Sequence, residues 1–110
     1  MPKLTDETRA ALKAQHADLT VLSSPLLPGH EFAFRRCGVA EFDAFLVTVS
    51  SRDLAAKVQA HRQLAGDLLV FPDGDAWRQF SADLPGLAHT FGNELAHRAG
   101  LDADVVVGKG

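Results

Sequence analysis

The sequence predicts an α+β, mainly helical fold: an N-terminal two-stranded hairpin packed on a bundle of about four helices. Three observations lead there. Alternating apolar and polar positions are confined to the stretch before Cys37, as a half-buried hairpin requires. From Val39 onward apolar residues recur at i, i+3 and i+7, the spacing of helices that bury one face. The 110 residues are 46% hydrophobic and 23% charged, the size and balance of one globular unit.

The elements follow in chain order. Thr5 can cap a first helix, with Asp6 and Glu7 placed favourably against its N-terminal dipole. The face of this Thr5–Gln15 segment is mostly Ala10, Ala11, Leu12 and Ala14, which bury little area. Residues 1–17 are therefore expected as a loosely docked helix, 18–101 as a single globular domain, and 102–110 as a flexible tail. Leu19-Thr20-Val21-Leu22 reads as a strand ended by Ser23-Ser24-Pro25, and Pro28-Gly29 as a turn. Glu31 to Arg36 alternates, with Phe32 and Phe34 on one face. A lone hairpin is marginal in water, so that face must lie on the helices.

Val39, Phe42, Phe45, Leu46 and Val49 form a stripe running to about Ser50. Ser51 is the expected cap of the next helix, in which Leu54, Val58, His61, Leu64, Ala65, Leu68 and Leu69 continue to about Phe71. Pro72-Asp73-Gly74-Asp75 is a turn, followed by a short helix carrying Trp77, Phe80 and Leu84. Pro85 suits the first turn of a last helix, whose stripe is Leu87, Phe91, Leu95 and Ala99. Gly100 is placed to end it, with Leu101 as the apolar contact after the glycine.

Few residues point to chemistry. The net charge, 11 − 14 = −3, leaves no electrostatic footprint for nucleic acid. No apolar run approaches the roughly 18 residues of a membrane span, and Met1–Ala17 lacks a signal core, so no membrane is implicated and a small soluble cytosolic domain is expected. The single Cys37 excludes an internal disulfide and a cysteine-built metal site. His16, His30, His61, His89 and His97 match no zinc-protease spacing. His89, Asn93 and His97 share a helix face and read as a solvated polar surface, and His61 as a partly buried histidine bonded to a carbonyl or carboxylate. Arg36 beside Cys37 would lower a thiol pKa, yet a lone cysteine is more simply a small apolar residue. Asp73 and Asp75 read as turn residues, no Gly-x-Ser-x-Gly is present, and the adjacent Arg35 and Arg36 do not by themselves make a phosphate-binding surface. The expectation is a protein without catalysis, cofactor or metal.

Three segments taken together resemble the tail assembly chaperones of long-tailed bacteriophages and their prophage relatives. They are Pro28-Gly29 with the Phe32/Phe34 strand and Glu41-Phe42; the long helix ending in Val70-Phe71-Pro72-Asp73; and Leu84-Pro85-Gly86-Leu87 running through Phe91-Gly92-Asn93-Glu94-Leu95 to Ala99-Gly100-Leu101. The likeness covers about Pro28 to Leu101. It implies a protein that binds and solubilises the apolar, helical tape measure protein during tail morphogenesis, with the tail tube protein as a further partner and with self-association. It also implies a longer frameshifted product, for which Gly108-Lys109-Gly110 has a compatible composition. Recognition would be of the helix-in-groove kind, through a groove assigned to Phe42, Phe45, Leu46, Val49 and Trp77. The alternative is a small structural or completion subunit of a phage tail or head.

Overall fold

The computed structural model describes residues 4–108, so Lys109 and Gly110 of the tail lie outside it. Five helices and a three-stranded antiparallel sheet make an α+β, mainly helical fold. Helix α1 (Asp6–Gln15) is capped by Thr5, whose Oγ1 accepts from the Thr8 N–H at 3.1 Å. None of its residues is buried, although Leu4, just before it, is.

Strand β1 (Leu19–Leu22) pairs with β2 (Phe32–Arg35), Leu19 opposite Arg35 and Leu22 opposite Phe32. Helices α2 (Val39–Val49) and α3 (Leu54–Leu68) follow. The structure departs from the sequence reading at both ends of α3. Asp53, not Ser51, is the cap: its carboxylate accepts from the Ala55 N–H at 3.0 Å, while the Ser51 hydroxyl accepts from the Asp53 N–H. A carboxylate one residue before the helix out-competes a hydroxyl three residues before it.

The helix expected to reach Phe71 stops at Leu68, and Leu69–Phe71 form a third strand, β3, on the free side of β2. Two local causes favour the strand. Residues preceding a proline avoid helical angles, and Phe71 precedes Pro72; Val70 and Phe71 also fit a pleated surface better than a helical one. The hairpin of the sequence reading is thus two-thirds of a sheet, with β2 as its middle strand.

Helix α4 (Gly74–Asp83) is capped by Asp73, and α5 (Pro85–Arg98) starts with its proline in the first turn. Helix α5 ends as expected. Gly100 has φ +106°, the Leu101 N–H donates to the Ala96 carbonyl, and the Gly100 N–H donates to that of His97. These are the paired bonds of a Schellman motif.

The core lies where α3 and α5 meet beneath the sheet. Ala60, Leu64, Ala65 and Leu68 face Leu87, Phe91, Leu95 and Ala96. Phe32 and Phe34 descend from β2, and Phe32 makes ring contacts with Trp77, Phe80 and Phe91 at centroid distances of 5.8, 5.3 and 5.2 Å. The closest helix approach is at Gly92, where a Cβ would stand 1.9 Å from the His61 carbonyl oxygen. No side chain fits there. Gly92→Ala is expected to cost roughly 1–3 kcal/mol or more, because the helices must part or bend. Gly86→Ala on the same helix meets nothing within 4 Å. That change should leave stability unchanged or raise it by up to about 1 kcal/mol. Urea unfolding of both variants checks the contrast, and equal effects would refute the close approach.

Candidate functional site

Helix α2 is unusual for its composition. Eight of its 11 residues are apolar (Val39, Ala40, Phe42, Ala44, Phe45, Leu46, Val47 and Val49), yet Phe45 alone is buried. A helix apolar on most sides normally sits inside a protein. Here one side lies on α3, across a shallow groove lined by Ala44, Phe45 and Thr48 on one wall and Ala60, Gln63 and Leu64 on the other. The opposite side faces solvent, with Val39 80% and Val47 75% exposed.

The exposure continues across the loop between the helices. Leu54 and Val58, in the first two turns of α3, are 73% and 47% exposed, and Leu46 is 37% exposed. Leu46, Val47, Leu54 and Val58 all lie within two helical turns of the Ser50–Asp53 connection. They make an apolar tip on the α2–α3 hairpin. The hairpin is held at its other end by Arg35, whose guanidinium bonds the Glu41 carboxylate and donates to the Asp67 carbonyl at 3.1 Å. The bond from Arg35 holds the Glu41 carboxyl below its usual range. The tip therefore projects from a fixed base.

The residues assigned to a groove from sequence divide accordingly. Phe45 is 4% exposed and belongs to the core, while Phe42, Val49 and Trp77 are half-buried against it. Trp77 packs on the sheet phenylalanines, away from the tip. Leu46 is the member of that set that reaches solvent, and Val39, Val47, Leu54 and Val58 complete the exposed surface. Periodicity identifies an apolar stripe without saying which side of it the rest of the chain covers. Val47 lies off the stripe, and that position was the available signal.

The histidines and the cysteine form no comparable centre. His61 is wedged between Phe45 and His89, with ring centroids 5.1 and 4.5 Å away. It meets those rings in place of the carbonyl or carboxylate expected from sequence. His97 uses Nδ1 toward the Leu101 carbonyl at 3.1 Å. Among the described residues no three His, Cys, Asp or Glu side chains converge as a metal site would need. Burial pushes the Cys37 thiol up, with Glu41 adding to that and Arg35 opposing it, so the thiol is not an activated nucleophile.

No protein-family model matches the chain, and no curated protein matches it. Among solved structures, an uncharacterised protein from Bacillus stearothermophilus, rbstp2171, superposes with a TM-score of 0.74 at 19% identity, over 91% of this chain and 99% of that one. The likeness is one of fold. Among the described residues no helix is long and apolar enough to cross a membrane.

The histidine wedge has a consequence for stability. Desolvation and the nearby His89 and His97 lower the His61 pKa from 6.5, so the unfolded chain binds its proton more readily than the folded one. Stability should be complete above pH 6.5 and fall as the pH drops from there toward the depressed folded value. Urea midpoints across this window should slope less in His61→Gln, and an unchanged slope would refute the assignment.

Proposed function

We propose that this chain is a tail assembly chaperone that binds and solubilises the tape measure protein, and that α2 with the adjoining tip of α3 is the surface it lends. The supporting observation is the apolar helix α2, of which one residue is buried. A solvent-facing surface of this kind marks a docking site more often than chance exposure. An amphipathic partner helix lying along α2 would cover Val39, Leu46 and Val47, and the tip would close over it with Leu54 and Val58.

The affinity of one copy follows from its size. Each large apolar side chain buried on docking contributes about 1.5–3 kcal/mol, against association costs of roughly 4–15 kcal/mol. A single copy therefore binds weakly. Many copies along one extended partner bind well, because each helical stretch offers another site on the same chain. The tape measure protein, long, helical and apolar, is the partner such a surface fits, and the likeness of the Pro28–Leu101 sequence to tail assembly chaperones names it. No covalent chemistry is required of the chain, which acts in the host bacterial cytoplasm before tube subunits assemble and is absent from the finished particle.

Co-expression with the tape measure protein tests this reading. The partner should become soluble and co-purify, and Val47→Ser combined with Leu54→Ser should abolish the effect. Because both sites are exposed, each change should alter stability by about 0.5 kcal/mol or less. A partner left insoluble beside the unaltered chain, or rescued equally by the double variant, would overturn the proposal.

A further inference from the structure

We propose that the cavity between the base of the hairpin and the last turn of α5 binds a phosphate-class dianion, either inorganic phosphate or the phosphate of a small ester. The cavity measures about 330 Å³ and is lined by Asp18, Thr20, Arg35, Arg36, Cys37, Leu95, Arg98 and Ala99. That volume is at the lower end of small-molecule sites and suits a phosphate carrying a small organic group. Arg35 and Arg36 are adjacent in sequence, and the fold adds Arg98 from a helix more than sixty residues further on.

The charges in the wall are unequal. Three arginines and one carboxylate, Asp18, line the cavity, and Glu41 and Glu94 pair with two of the arginines, Arg35 and Arg98, from outside the lining. Arg35 directs one terminal amino group to Glu41 and the other to the Asp67 carbonyl, and contributes charge and rigidity.

The other two guanidiniums keep donors to spare. Arg98 gives its Nε to Glu94 at 3.2 Å, and its terminal amino groups bond no described residue. Arg36 approaches Asp18 only to 3.8 Å, outside hydrogen-bond reach, and both side chains are mostly exposed. Such a contact is worth little, and a dianion would displace it, because guanidinium forks match phosphate oxygens. Thr20, on the strand beside β2, also lines the cavity and carries a hydroxyl donor.

A helix C-terminus ordinarily repels anions. In α5 the Leu101, Gly100 and Ala99 N–H groups bond the Ala96, His97 and Leu95 carbonyls, which lessens that repulsion and leaves the Arg98 carbonyl without a backbone donor among the described residues.

Cys37, the single cysteine, lines the cavity and reports on it. Its alkylation by a maleimide near pH 8.5, at constant ionic strength, should slow severalfold when chloride is replaced by inorganic phosphate. Arg36→Gln and Arg98→Gln should each lose this protection while Arg52→Gln keeps it, with thermal unfolding showing that all three remain folded. Because the thiol is half-buried, amide NMR shifts on phosphate titration provide an independent readout, with changes expected at Thr20, Arg36, Cys37 and Leu95–Ala99. Absence of protection and of shifts in the unaltered chain, or protection retained in Arg36→Gln and Arg98→Gln, would overturn the proposal.

Discussion

The rest of the structure depends on the absence of a side chain at Gly92. The missing Cβ lets the backbone of α5 rest against the His61 carbonyl of α3. Small residues on both helices, Ala60 and Ala65 on one and Ala88 and Ala96 on the other, keep the seam narrow along its length. Dispersion is short-ranged, so a narrow seam lets Leu64, Leu68, Phe91 and Leu95 form the centre of the core, to which α2 adds Phe45 and α4 adds Trp77 and Phe80. Phe32 and Phe34 complete it from above, meeting Phe91 at 5.2 and 5.8 Å.

Where the seam runs also determines what is left uncovered. The buried residues of α3 begin at Ala60, so its first two turns extend beyond α5 into solvent. Helix α2 packs chiefly on α3, and so has one main neighbour where an apolar helix could use two. An apolar face presented on a rigid base offers a partner contact area without an ordering cost in the hairpin itself.

Much of this was readable from the residues. Thr5, Pro85 and Gly100 act through local backbone chemistry, and local chemistry is written in adjacent letters. Three features were not readable. Strand β3 exists because β2 offers a free edge to Leu69–Phe71, and a tertiary partner overrode a helical pattern that ran through the same residues. Phe45 and Val47 are both apolar residues of one helix, and only the placement of α3 makes one core and the other surface. The arginine-lined cavity unites residues of β1, β2 and α5, which no spacing rule connects. Signals confined to one helical turn or one cap survive in a single sequence, while those requiring two distant segments do not.

The two surfaces lie apart on the molecule. The cavity sits where β1, β2 and the end of α5 converge, and the apolar tip at the far end of the α2–α3 hairpin. Hydrogen–deuterium exchange of the chain, alone and bound to its polypeptide partner, tests the central claim most directly. New protection should fall across 39–58, spanning α2, the connecting loop and the start of α3, with the α3–α5 seam unchanged. Protection confined to α1, to the sheet or to α4, or none at all in a stable complex, would contradict it.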